Sequence, residues 1–295
     1  MKKIENCPIC NSVRQAEFLQ SKDYSLSKEI FTIVKCLDCE FLFTNPRPDE
    51  KDIGNYYISD NYISHTDNKK GLFNYLYQIV RKHAIKTKTR LLINTSKTKE
   101  HLDIGCGTGE FINSCVKKNI RCVGIEPSKI AREKAIKNYK LNVKEDTNLK
   151  QFQNNSFDSV SMWHVLEHIY ELNETISNLK KIISPNGFLI VAVPNHKSLD
   201  AKIYKKYWAA WDLPIHLNHF SPLTINNLLK KYGFKLEKQI GMKFDSFYVA
   251  LLSNEYKSGK KQFIKGFIIG LLSNLSALLG FSQYSSTIYI FSNKK

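Results

Sequence analysis

The residues best suited to chemistry fall into three groups. Four cysteines make two pairs, Cys7-Pro8-Ile9-Cys10 and Cys36-Leu37-Asp38-Cys39, and the two-residue spacing lets both sulfurs of a pair face one ion. Four thiolates suit tetrahedral zinc and leave no open coordination position. The expectation is a structural zinc on Cys7, Cys10, Cys36 and Cys39. The 25 residues between the pairs call for a hairpin excursion that brings the chain back.

The second group is Leu102-Asp103-Ile104-Gly105-Cys106-Gly107-Thr108-Gly109-Glu110-Phe111, a strand running into a helix through three alternating glycines. Glycines there leave bare main chain for a nucleoside cofactor to lie against. Glu126, ending the next strand before Pro127, is placed to accept from both hydroxyls of a ribose. A dinucleotide site needs G-x-G-x-x-G with its pyrophosphate on the helix N-terminus. Here Glu110 follows Gly109, which repels a diphosphate and tolerates a cation. S-adenosylmethionine, with a sulfonium, an ammonium and no phosphate, suits these charges better than NAD.

Histidines are the third group. Transfer of a group to a hydroxyl or amine needs alignment and a base, and histidine, which titrates near neutral pH, is the first residue to consider. His164 and His168 flank Glu167, and His216 and His219 lie in the loop Pro214-Ile215-His216-Leu217-Asn218-His219-Phe220. These four are candidate bases or substrate contacts, against the plainer roles of pocket shaping, capping and packing. Trp208, Trp211 and Asp212 just upstream could wall the acceptor pocket.

The elements that must position these groups follow from periodicity. Apolar runs at His101 to Gly105, Arg121 to Glu126, Leu141 to Lys144, Phe157 to Trp163 and Phe188 to Pro194 read as buried strands. Segments 109–118, 128–139 and 165–183 between them read as helices, the last stopped by Pro185-Asn186-Gly187. This alternation predicts an α/β domain with a parallel sheet covered on both faces. Ser221-Pro222, an apolar stripe and Gly233 mark a capped helix, and strands near Phe234 to Ile240 and Thr287 to Phe291 close the sheet. Upstream, Asn45-Pro46-Arg47-Pro48 opens a connector with Tyr56, Tyr57 and Tyr62, and Leu72, Tyr75, Leu76, Ile79 and Val80 begin a helix.

An apolar fraction of 42% over 295 residues supports a true core and excludes a disordered tail, a collagen and a disulfide scaffold. The net charge is +17, but only six of the 44 basic residues are Arg, the residue nucleic-acid readers favour. The charge therefore reads as a lysine-rich surface leaning toward anionic substrates or membrane, and argues against a nucleic-acid partner. The opening MKKIENCPIC has no apolar run of a signal peptide, so a cytoplasmic location is expected, with thiols or metal ligands rather than disulfides.

Residues 263–281 are strongly apolar, yet Ile264, Ile268, Leu271, Leu272, Leu275, Leu278 and Leu279 gather on one helical side, opposite Lys265, Ser273, Asn274 and Ser276. A closing strand follows, so the expectation is an amphipathic helix at about 260–280 that packs on the domain, with peripheral membrane contact through 257–281 as the other reading.

LDIGCGTGEF, GIEPS, FDSVSMWHVLEHI and GFLIVAVPN, in this order, resemble the motifs of class I S-adenosylmethionine-dependent methyltransferases. The resemblance covers about residues 72–295. It implies a Rossmann-like seven-stranded sheet with an antiparallel last strand. It places Gly105, Gly107 and Gly109 along the methionine part, Glu126 at the ribose, Asp146 by the adenine and His164 beside the methionine, with Asp103, Cys106, Pro127 and Thr147 as further cofactor-binding residues. Ser184-Pro185-Asn186-Gly187 stands where the family often has a Pro-Gly-Gly turn. The zinc-ribbon-like start resembles an extension of some bacterial small-molecule and sugar methyltransferases, where it can cover the cofactor cleft and lend tyrosines; Tyr56 and Tyr57 are the candidates here. The implied organisation is a zinc-binding module over 1–45, a connector or lid over 46–71 and the methyltransferase domain over 72–295.

The expected activity is methyl transfer to a small acceptor, a hydroxyl of a sugar, glycolipid precursor or secondary metabolite. Carbon methylation of a sugar nucleotide is the alternative, and an RNA-binding protein or RNA methylase is a more distant one.

Overall fold

The structure is a computed structural model that describes residues 1–57, 72–95 and 97–294, the side chains of 72–77 excepted. The connector's residues 58–71, with Tyr62, lie outside the described residues. Two sheets organise the chain. The larger is built from β4 (Glu100–Ile104), β5 (Arg121–Ile125), β6 (Val143–Lys144), β7 (Phe157–Trp163), β8 (Ile183–Pro194), β10 (Lys235–Gly241) and β11 (Ser286–Ser292). Its order is β10-β11-β8-β7-β4-β5-β6, with β11 antiparallel to both neighbours and the strands from β8 to β6 parallel. This is the seven-stranded arrangement with one reversed closing strand that the motifs imply.

Near-continuous apolar runs such as Leu189, Ile190, Val191, Ala192 and Val193 are buried throughout, as a sheet covered on both faces requires. The covering helices are α1 (Leu72–Thr95), α2 (Glu110–Val116), α3 (Lys129–Tyr139), α4 (Leu172–Ile182) and α6 (Pro222–Lys231). At α6 the Ser221 hydroxyl accepts from the Thr224 amide and the Thr224 hydroxyl accepts from the Ser221 amide, a closed capping box in which Thr stands for the usual Glu. The helix expected over 165–183 begins only at Leu172. His164 takes a left-handed φ of 59°, and a single tight turn over Leu166–His168 intervenes, so the histidines sit on an irregular link and not on one helix face.

The smaller sheet is antiparallel, β1 (Gln15–Lys22), β2 (Ile30–Cys36), β3 (Leu42–Thr44) and β9 (Asn218–His219), in that order. The β1–β2 hairpin is the excursion that returns the chain from Cys10 to Cys36. Strand β9 comes from the loop carrying His216 and His219, and Leu42 pairs with His219 across β3. Phe41 and Phe43 share a core with Leu166, Phe220, Ile225 and Leu228, so the N-terminal module is packed into the larger domain.

Two helices between β10 and β11 complete the fold, α7 (Asp245–Ser258) and α8 (Phe263–Leu278), with the short α5 (Leu199–Tyr204) beside them. Helix α8 corrects the packing expected of it. Its small side, Gly266, Gly270 and Ser273, is buried, while Ile264, Phe267, Ile268, Leu271 and Leu275 are exposed. A Cβ on Gly266 or Gly270 would come within 2.9 Å of the Leu251 or Phe247 main chain, and the Ser273 hydroxyl donates to buried Asp200 at 2.7 Å. Close backbone approach and one buried hydrogen bond set the face of α8 that turns inward. No helix among the described residues is long and apolar enough to cross a membrane.

Candidate active site

The chain reverses its direction of winding between β4 and β7, so the crevice at the carboxyl end of β4 is where such a sheet receives a ligand. The glycine loop occupies that position. Gly105, Gly107 and Gly109 all have positive φ, of 70°, 56° and 83°. Gly107 faces open space among the described residues: apart from its chain neighbours, none of them comes within 4 Å of a Cβ built there. Gly109 serves packing as well, since a Cβ would meet Leu141 at 2.6 Å and Ala135 at 2.9 Å.

Glu126 is buried and holds the loop. Its Oε2 accepts from the Gly107 amide and its Oε1 from the Ser128 amide, each at 2.8 Å. Each carboxylate oxygen keeps a further lone pair for a ligand hydroxyl. Pro127 is exposed beside it, and Arg132 donates to the carbonyls of Glu126 and Pro127. Asp146 and Thr147 are exposed just past β6, with Asp146 Oδ1 accepting from the Asn148 amide at 2.8 Å. The Cys106 side chain points at Gly124, where a Cβ would come within 2.7 Å of its sulfur, so Cys106 can offer a ligand only main chain. Asp103 lies under the loop, accepting from Ser161 at 2.5 Å, and burial pushes its carboxyl up to about 7.

Two positions that periodicity does not single out complete this side. Arg81 of α1 pairs with Glu110 at 2.5 Å and so clamps α1 over the loop. Lys88 lies 4.4 Å from the centre of the Trp163 ring, and burial lowers its pKa despite Asp103 and Asp245 nearby. Both follow the connector on a helix whose periodicity speaks only of packing.

The histidines divide by charge. His164 bonds Asp245 through Nε2 at 3.2 Å and approaches Glu167 through Nδ1 at 3.3 Å. Burial opposes its charge, but the two carboxylates prevail and raise it to about 9. Both nitrogens of His164 thus face carboxylates, an arrangement that favours the charged ring and suits a positioning role better than that of a base. His168 is lowered to about 4 by burial and by His216, and His216 is itself lowered by burial. Nδ1 of His168 meets the Ile215 carbonyl and the Tyr57 hydroxyl, each at 3.0 Å, and Nδ1 of His216 meets the Ala210 carbonyl at 3.0 Å. The carbonyls fix the tautomer, leaving Nε2 as the basic nitrogen on each ring. Glu167, His168 and His216 bring ligand-capable atoms within 4.8 Å of one another.

His219 is bonded to Thr44 at 3.1 Å, stacks edge-on against Trp211, and is held well below its ordinary pKa by burial. It thus fastens β9 to β3 within the smaller sheet. Trp208 and Trp211 are buried core, with Trp208 donating to Asp200 at 2.7 Å. Asp212 stands 3.9 Å from His216 Nε2, and burial raises its carboxyl to about 6. The adjacent tyrosines part company: Tyr57 reaches His168, while Tyr56 packs on Phe31 and donates to Glu29 at 2.9 Å, away from the histidines.

The four cysteine sulfurs of the N-terminal module lie within 4.8 Å of one another, with Cys7–Cys39 and Cys10–Cys36 at 3.5 Å. Tetrahedral zinc with bonds of about 2.3 Å sets its sulfurs about 3.8 Å apart, so the donor set fits that ion.

A doubly wound sheet with a nucleoside-type glycine loop and an acidic residue on the next strand defines a class I methyltransferase. The family of methyltransferase domains matches residues 76–239, and the chain belongs to it; its cosubstrate is S-adenosylmethionine. The chain is similar to the ubiquinone biosynthesis O-methyltransferase of Rickettsia typhi, 26% identical over 205 residues, which covers 64% of this chain and 80% of that one. It is also similar to the enzyme of that name from Pelagibacter ubique, 27% identical over 169 residues, covering 53% and 68%. Among solved structures, phosphoethanolamine N-methyltransferase 2 of Haemonchus contortus, in complex with S-adenosyl-L-methionine, matches with a TM-score of 0.54 at 14% identity, covering 95% of this chain and 69% of that one. An S-adenosylmethionine-dependent methyltransferase from Archaeoglobus fulgidus matches with a TM-score of 0.51 at 21% identity, covering 75% and 100%.

Proposed function

We propose that this methyltransferase acts on a hydroxyl group of a small acceptor, with His216 or His168 taking the proton. The observation that carries this reading is the geometry of His168 and His216, each with Nδ1 at 3.0 Å from a main-chain carbonyl so that Nε2 is left to accept a proton, in surroundings whose burial lowers both pKa values. The names of the relatives speak of O-methylation, which agrees with a site that holds an unprotonated base.

S-adenosylmethionine would supply an electrophilic methyl group on sulfur. In this reading Gly107 leaves room for its methionine part, Gly105 and Gly109 hold the turn that bares the main chain to it, Glu126 binds the ribose, and Asp146 with Thr147 borders the adenine. Of the nearby acids, Glu126 presents its carboxylate at the crevice and favours that positive charge, while Glu110 is paired with Arg81 and Asp103 lies buried under the loop with its carboxyl raised to about 7. The chain's own contribution is alignment and proton acceptance: bringing the acceptor oxygen onto the sulfur–methyl axis supplies much of the rate, and the base adds roughly two to four orders of magnitude.

The division into a zinc-binding module over 1–45, a connector over 46–71 and a catalytic domain over 72–295 belongs to the same reading, with zinc on the four cysteines as a structural ion. Carbon methylation is the second reading, favoured by the contact between Tyr57 and His168 at 3.0 Å, where Tyr57 would position the ring and its free Nε2 would take the proton beside a carbonyl.

Transfer from methyl-labelled S-adenosylmethionine to a panel of phenols, sugars and sugar nucleotides, with the product bond located by NMR, separates the two. Oxygen-bound label that falls about a hundredfold or more in His216→Ala supports the first reading. Carbon-bound label lost in Tyr57→Phe supports the second and overturns it.

A further inference from the structure

We infer that the outer face of α8 is a docking surface for an anionic phospholipid bilayer. Ile264, Phe267, Ile268, Leu271, Leu275 and Leu278 recur at three- and four-residue steps and are between 42% and 79% exposed. A water-facing helix normally turns such a stripe inward. Here the inward side is taken by Gly266, Gly270 and Ser273, and the fit of Gly266 against Leu251 and of Gly270 against Phe247 leaves no room for the larger side chains to exchange places. The stripe is therefore outward by construction, and it exceeds the singly scattered apolar residues of an ordinary surface.

Charge selects the occupant. Lys257, Lys260, Lys261 and Lys265 are all exposed at the start of the stripe. From Gln262 through Gln283 the chain carries no Asp or Glu, so the stripe's own segment contributes no acidic side chain, and at its start Glu255 approaches Lys261, at 4.0 Å. A second copy of this chain would bring two such lysine clusters and two net charges of +17 together. Anionic headgroups pair with those lysines while the acyl boundary receives the apolar side chains, the arrangement of an interfacial helix lying in the membrane plane. The 16 residues of α8 are about 24 Å long, enough to lie along the surface and too short to span it.

The test is cosedimentation of the full chain with vesicles of phosphatidylcholine, with and without about 30% phosphatidylglycerol, at low and high salt. Binding to the anionic vesicles is expected, weakened by salt and by removal of phosphatidylglycerol. Two variants should each reduce it by about tenfold or more: Phe267→Ser with Leu271→Ser, and Lys257→Gln with Lys260→Gln and Lys261→Gln. All these residues are exposed, and unchanged S-adenosylmethionine affinity with an unchanged circular dichroism spectrum would establish that the variants are folded. Absence of binding to anionic vesicles overturns the proposal. So does full binding by the folded serine variant, which would make the attraction purely electrostatic. Self-association lost in that variant, without vesicle binding, would assign the face to a second copy.

Discussion

The main-chain amide of Gly107 donates to Oε2 of Glu126 at 2.8 Å, which ties the middle of the glycine loop to the end of the neighbouring strand. The same carboxylate accepts from Ser128 through its other oxygen. Glu126 thus shapes the loop and faces the ligand crevice at once, and its loss should be felt in both roles.

Glu126→Ala should weaken S-adenosylmethionine binding by about 1 to 3 kcal/mol, because lost ligand hydrogen bonds add to the slackening of the loop. Titration calorimetry measures this. An unchanged affinity would mean that the cofactor lies elsewhere.

The glycines at 107 and 109 should respond differently to substitution. Gly107→Ala meets open space, so its cost in stability is the left-handed φ alone, about 1 to 2 kcal/mol, while cofactor affinity falls more steeply. Gly109→Ala also collides with Ala135 and Leu141 and should lose roughly 2 to 4 kcal/mol of stability. Urea melts and binding titrations on both variants decide the matter, and equal profiles would contradict the assignment.

The pair formed by His164 with Asp245 and Glu167 predicts a definite pH dependence. The folded pKa, about 9, lies above the ordinary 6.5, so the folded state binds the proton more tightly. The stabilisation is complete below about pH 6.5 and is lost as pH rises through about 9. Melting temperature should therefore decline over that alkaline window, and His164→Gln should flatten the decline. The raised value should be visible directly as a late-titrating imidazole by NMR.

His168 and His216 predict the opposite side. Their folded pKa values are lowered, so the unfolded chain binds more protons in mild acid and stability falls as pH drops below about 6.5 toward about 4. Substituting His168 with Gln should reduce this acid sensitivity, read from Tm between those limits. An identical acid profile would place the sensitivity in other groups.

Purified protein should carry about one equivalent of zinc by elemental analysis, and less than about a quarter would defeat the assignment. Cys36→Ser should lower the zinc content and Tm together. The module's core is continuous with that of the catalytic domain, so the melt should shift as one transition.

Much of this was legible because local chemistry allows few solutions. Three alternating glycines after an apolar strand, with an acid ending the next strand, leave a nucleoside crevice as the natural reading, and Ser221-Pro222 with Gly233 announces its helix. Two Cys-x-x-Cys pairs point to one shared ion without a fold, since spacing alone sets which sulfurs can meet. The reach of Asp245 to His164 was not legible: 81 residues separate them, and no local pattern speaks of a pairing made by folding. Nor could the loop at 216–219 announce itself as a strand, because two residues of β9 exist only as the partner of β3.

From sequence alone come the element order, the glycine loop with its acid and the cysteine cluster, because each depends on residue type over a few positions. Tertiary structure decided which histidines meet carboxylates and which meet carbonyls, which tyrosine of 56 and 57 contacts His168, and which face of α8 meets the solvent. Those are outcomes of burial and of neighbours distant in the chain. A helical wheel finds an apolar side but cannot say whether the domain or the surroundings will cover it.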